Sequence, residues 1–141
     1  MSKVAVVYWS GTGNTKQMAK LVEEGAKLAG AETSLFSASE FSQDRALSFD
    51  AIAFGCPSMG VEELEDSEFE PMFSSCMSIL SGKKIALFGS YGWGDGEWMR
   101  TWEDECRSDG LNLISEGVIC NEAPDDEAKE ACIALGKALV Q

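Results

Sequence analysis

The residues best equipped for chemistry come early: Ser10-Gly11-Thr12-Gly13-Asn14-Thr15, three hydroxyls and an amide alternating with two glycines. Where a strand gives way to a helix, such a run turns successive main-chain N–H groups toward one point. The side chains add donors, and glycine takes up the dihedrals the turn requires. The chemistry is anion binding. No Lys or Arg stands within these positions, and the first cation, Lys16, follows one residue later. A phosphate held by dipoles and hydroxyls alone suits a ligand that stays bound, because a phosphate in transfer needs cations or a metal to stabilise moving charge. A dinucleotide fingerprint would place a third glycine where Lys16 stands, and an NTPase loop needs a Gly-Lys-Ser/Thr ending. Neither fits.

The elements that position this loop follow from hydropathy. Lys3 to Trp9 reads as a buried strand, and Met18, Leu21, Val22, Ala26, Leu28 and Ala29 keep a helical rhythm that Gly30 stops, with Asn14 as the helix cap. A short strand is expected over Glu32 to Phe36, then turn and short helix from Ser37 to Phe49. Asp50 to Gly55 and Lys84 to Gly89 are apolar enough to be strands buried on both faces. They exit into the loops Cys56-Pro57-Ser58-Met59-Gly60 and Ser90-Tyr91-Gly92-Trp93-Gly94. Helices are expected over Pro71 to Leu80, from Glu97 to Gly110, and over Asp125 to Val140. A last strand is expected over Asn112 to Cys120, kinked near Gly117. Alternating strands and helices predict an α/β, doubly wound, five-stranded parallel sheet with helices on both faces, as one domain over 1–141. Ligands in such sheets bind beyond the carboxyl ends of the strands, where all three suspicious loops lie.

Bulk properties exclude whole classes. Acidic residues outnumber basic ones 24 to 11, for a net charge of −13, which repels nucleic acid and anionic membranes and attracts basic protein surfaces. There is no histidine, so no imidazole-dependent triad or metal site exists. The five cysteines are odd in number and none are spaced Cys-x-x-Cys, which reads as reduced, buried thiols. No apolar signal core opens the chain and no segment approaches a membrane span, so a cytoplasmic protein is expected.

Taken together, Ser10 to Thr15, the segment Gly55-Cys56-Pro57-Ser58-Met59-Gly60 followed by Glu62-Glu63, and Gly89-Ser90-Tyr91-Gly92-Trp93-Gly94 resemble the short-chain flavodoxins over essentially the whole chain. The resemblance implies a flavodoxin-like sheet of order 2-1-3-4-5 and tightly bound, noncovalent FMN. Ser10, Gly11, Thr12, Gly13, Asn14 and Thr15 would hold the phosphate. Pro57 and Ser58 would border the cofactor, Met59 would lie against the inner face of the ring and Trp93 against the outer. Ser90, Tyr91, Gly92 and Gly94 would line the pyrimidine side, Glu62 would bond near N3, and Asn121 would reach in from the last strand. It further implies that the peptide joining Met59 to Gly60 rotates to serve N5, separating two one-electron steps, with Val61 a departure from the small polar residue of several relatives.

The implied activity is that of a low-potential one-electron carrier on the semiquinone/hydroquinone couple, serving reductases and ferredoxin-dependent enzymes through their basic surfaces, as a monomer. The alternative on the same fold is an FMN-dependent NAD(P)H/quinone reductase. The acidic balance bears on the potential: no Lys or Arg occurs from Pro57 to Gly82, whereas Glu62, Glu63, Glu65, Asp66, Glu68 and Glu70 do. A carboxylate ~10 Å from an anionic ring shifts a one-electron potential by on the order of 20–35 mV before screening.

Overall fold

The computed structural model describes residues 2–140. Six strands, β1 (Lys3–Tyr8), β2 (Glu32–Ser37), β3 (Ala51–Gly55), β4 (Lys84–Tyr91), β5 (Asn112–Leu113) and β6 (Val118–Asn121), form one parallel sheet. Its order is β2-β1-β3-β4-β5, and β6 also pairs with β4. The expected fifth strand is therefore present as two segments along one edge of β4, broken before Val118. At the break, a Cβ on Gly117 would collide with the Met99 side chain, and the Gly117 N–H is donated to Glu103 instead of to the ladder.

Helices α1 (Asn14–Leu28), α2 (Gln43–Ala46), α3 (Phe69–Cys76), α4 (Glu97–Ser108) and α5 (Asp126–Ala138) cover both faces. Side chains alternate across the strands, so one β1 pair, Val4 and Val6, joins Met18, Val22, Cys132 and Leu135 beneath α1 and α5. The other pair, Ala5 and Val7, joins Ile52, Phe54, Phe69, Phe73, Trp98 and Trp102 beneath α3 and α4. Trp98 and Trp102 are thus core residues, as helical spacing indicates. On the first face, α1 and α5 nest through two glycines: a Cβ on Gly136 would lie 1.9 Å from the Val22 carbonyl oxygen, and one on Gly25 2.0 Å from that of Ile133.

Several boundaries differ from expectation, and three of them bear on the loops. Asn14 is the first helical residue rather than the cap; the cap is Gly13, with φ of 98°, and its N–H is donated to Ser10 Oγ at 3.0 Å. Strand β4 continues past Gly89 through Ser90 and Tyr91, because β6 supplies ladder partners there, Cys120 and Asn121. Helix α3 begins two residues before Pro71 and ends at Cys76, followed by a single 3-10 turn to Ile79. Among the described residues no helix is long and apolar enough to cross a membrane.

Candidate functional site

Parallel pairing brings the carboxyl ends of β1, β3 and β4 side by side, and the loops leaving them meet. Main-chain bonds continue the sheet into these loops: Trp9 N–H donates to the Gly55 carbonyl at 3.0 Å, Cys56 N–H to Phe88 at 3.1 Å, and Ser58 N–H to Ser90 at 3.0 Å. Such close approach needs missing side chains. A Cβ on Gly89 would stand 2.2 Å from the Cys56 carbonyl oxygen, and one on Gly55 would enter the Phe88 ring. Cys56 is buried, and its Sγ accepts the Glu65 N–H at 3.3 Å.

The loops enclose a cleft of about 220 Å³, open to solvent on one side and lined by Trp9, Gly11, Thr12, Asn14, Pro57, Ser58, Met59, Ser90, Tyr91, Gly92 and Glu122. Ser10 and Gly13 face an adjoining cleft on the other side of the loop, with Tyr8, Lys16 and Ser37. Thr15 is buried between helix and sheet, and its hydroxyl is bonded to that of Ser90 at 3.0 Å. Hence α1 is pinned to β4 at its first turn.

Among the described residues, the main-chain N–H groups of Gly11, Thr12, Asn14, Thr15 and Lys16 have no acceptor in the protein. Helices leave such donors at their N-termini, and here the left-handed Gly13 and the Ser10 brace hold the preceding loop against them. This donor set, with the Thr12 hydroxyl and Asn14 amide beside it, suits a phosphate monoester. The cleft walls of indole, thioether and phenol suit a flat aromatic ring.

The second loop folds back on itself. Met59 N–H donates to the Glu63 carbonyl and Glu63 N–H to that of Met59, each at 2.8 Å, closing a tight turn with φ of 52° at both Gly60 and Glu62. This corrects one expectation: the Met59 carbonyl is held, so the peptide joining Met59 to Gly60 is not the one free to rotate. The Gly60 carbonyl and the Val61 N–H have no protein partner among the described residues, which puts that freedom on the peptide after Gly60. Val61 is 76% exposed.

Glu62 lies outside the cleft lining; its Oε1 accepts the Glu97 N–H at 2.9 Å, tying the second loop to the start of α4. Gly94, at φ of 86°, leaves the room for that carboxylate, since a Cβ there would be 2.6 Å from Glu62 Cδ. Trp93 is 60% exposed beyond the lining, and Asn121 pairs with Tyr91 in the sheet. Its successor Glu122, in the left-handed region at φ of 59°, lines the cleft instead and donates its N–H to Tyr91. Glu122 carried no sequence signal. Trp9 did, as an aromatic residue ending the first strand, and its indole N–H is donated to Glu68 at 2.9 Å.

Carboxyl chemistry behind the turn is built for structure. Glu65, 6% exposed, accepts from the Ser67 hydroxyl and from the N–H groups of Ser67, Glu68 and Phe69. Burial pushes its pKa up, but these bonds outweigh that and hold it at about 2. Burial likewise drives the thiols of Cys56, Cys106 and Cys132 up to about 12, so none is poised as a nucleophile.

Residues 6–136 match the protein family described as Flavodoxin. The flavodoxin of Megasphaera elsdenii is 47% identical over 137 residues, covering 96% of this chain and 99% of that one. That of Clostridium beijerinckii is 44% identical over 134 residues, covering 95% and 96%. The solution structure of the two-electron reduced Megasphaera elsdenii flavodoxin superposes with a TM-score of 0.89 at 46% identity, covering 97% of this chain and 98% of that one.

Proposed function

The chain belongs to the flavodoxin family, and from that premise we propose how its own residues serve as an FMN-dependent electron carrier. It is a carrier of electrons to redox partner proteins rather than an enzyme, and the reductase reading is not favoured, since relatives matched along nearly their full length are flavodoxins. When bound, FMN supplies a ring that takes up and returns one electron at a time at low potential.

The residues do the rest. Gly11, Thr12, Asn14 and Thr15 hold the phosphate by their unpartnered N–H groups, with Ser10 bracing the loop through the Gly13 N–H and the Thr12 hydroxyl and Asn14 amide as further donors. Pro57, Ser58, Ser90, Tyr91 and Gly92 position the ring against β3 and β4. Met59 packs on one side of it and Trp93 closes from the other, Gly94 giving the loop its reach. The Gly60 turn presents its carbonyl to the ring edge, Glu62 leaves Glu97 to bond the pyrimidine side, and Asn121 sets the place of Glu122. Negative charge around the cleft opposes a further negative charge inside it and so lowers the potential. Exposed Met59, Val61 and Trp93 form an apolar fringe amid carboxylates, a face suited to the basic surfaces of reductases and ferredoxin-dependent enzymes. The protein acts as a monomeric single domain over 1–141 in the cytoplasm, where its five thiols stay reduced.

The observation that carries this reading is the row of N–H groups without acceptors beside a flat, apolar cleft. Fluorescence-quenching titration tests it. FMN is expected to bind far more tightly than riboflavin, and Ser10→Ala to weaken FMN about tenfold while leaving riboflavin little changed. Equal affinity for the two flavins defeats the phosphate assignment. Anaerobic reduction in one undivided two-electron step defeats the carrier.

A further inference from the structure

The cleft of about 220 Å³ between the three loops and the adjoining one of about 250 Å³ share a single lining residue among those described, Trp9. Its indole spans the gap between them. At the benzo edge, Cη2 and Cζ3 lie so close to the first loop that a Cβ on Gly11 would stand 3.3 Å from each. At the opposite edge the indole N–H is donated to Glu68 Oε1 at 2.9 Å, and Glu68 lines the second cleft but not the first. Both attachments are themselves anchored. Trp9 main-chain N–H is donated to the Gly55 carbonyl at 3.0 Å, and Glu68 N–H to the buried Glu65 carboxylate at 2.8 Å. The ring is held at its main chain and at its nitrogen, as a partition between two cavities.

What lies behind the partition gives it a use. The second cleft is lined by Lys16 together with Ser10, Ser37 and Ser39, a cation among hydroxyls of the kind that receives a phosphate. The first has no Lys or Arg in its lining among the described residues, and its anion-binding capacity lies in main-chain N–H groups. A flavin that ends in a phosphate monoester is complete within the first cleft. One that continues into a diphosphate needs room and counter-charge for a second phosphate beside the loop, and the indole closes the way to both. Resting on the reading of the first cleft as a flavin phosphate site, we infer that Trp9, held by Glu68, determines specificity for a flavin mononucleotide against a flavin dinucleotide. Trp9 sets the limit by its bulk. Glu68 is a positioning residue that acts through the ring, and its own charge stands on the side a second phosphate would occupy.

The test is calorimetric titration of the full chain, freed of flavin, with FMN and with FAD, read as the ratio of their dissociation constants. Wild type is expected to favour FMN strongly. Trp9→Ala joins the two cavities and should bring the ratio down about tenfold or more, and adding Lys16→Ala to it should take back most of that gain. Glu68→Ala frees the ring without removing it and should lower the ratio about threefold, the worth of one exposed hydrogen bond. Glu68→Gln removes the charge but keeps an acceptor, so it should hold the ratio near wild type and leave the Trp9 indole N–H resonance in place, whereas Glu68→Ala moves it upfield. Glu68 is exposed, so this pair reads the inference independently of any folding defect in Trp9→Ala. An unchanged ratio in Trp9→Ala and Glu68→Ala overturns the inference, as does a fall in Glu68→Gln equal to that in Glu68→Ala, which would make charge rather than the held ring the discriminator. A wild-type chain that binds neither flavin defeats the cofactor reading itself; one that binds FMN and FAD equally defeats this inference alone.

Discussion

Replacing Glu65 by Gln removes the charge that organises the return of the loop after β3 into α3. In the folded protein the carboxylate is held at about 2, against an ordinary value of 4.5, by the Ser67 hydroxyl and three main-chain N–H groups despite burial. A shift of that size is worth at most about 3.4 kcal/mol, and discounted for screening by nearby water, on the order of 2 kcal/mol. The sign follows from a depressed folded pKa: the stabilisation is whole above pH 4.5 and fades as pH falls toward 2. Urea unfolding of wild type and Glu65→Gln, run from pH 7 to pH 3, measures it. The gap between the two is expected to be about 2 kcal/mol at pH 7 and to narrow below pH 4.5, other acidic groups cancelling in the difference. A gap that stays constant across this range refutes the reasoning, because a charge-independent loss of packing has no such dependence.

Two further perturbations probe the scaffold. Gly136→Ala should lower the melting temperature by about 10 °C in thermal unfolding, since the new Cβ meets the Val22 carbonyl oxygen and forces α1 from α5. Helix propensity alone favours Ala by about 1 kcal/mol, so a rise in melting temperature would show that the helices do not nest as described. The thiols should resist a disulfide reagent at pH 8 in the folded protein and all five react in denaturant, burial having raised their pKa values to about 11 or 12 at Cys56, Cys106, Cys120 and Cys132. Rapid native labelling of Cys56 would contradict its burial.

Much of this was legible because it depends on local chemistry. The strand at Lys3 to Tyr8 alternates between two apolar faces whatever surrounds it, and the Ser/Thr/Gly run after it has few roles other than anion binding. The limits of that reading are equally specific. Glu122 lines the cleft only because β6 pairs with β4 and a left-handed residue follows. Glu62 is engaged by Glu97, 35 residues away, and Thr15 by Ser90, 75 residues away, contacts with no local signature.

Local preference and spacing within the sequence alone therefore determined the order of elements, their parallel winding and the three loops that border the cleft. Only the tertiary structure decided how those loops meet: which carbonyl of the Gly60 turn is free, which carboxylates become structural, and which indole stands between two clefts. These depend on hydrogen bonds and close approaches between residues far apart in the chain, whose partners exist only once the sheet has assembled.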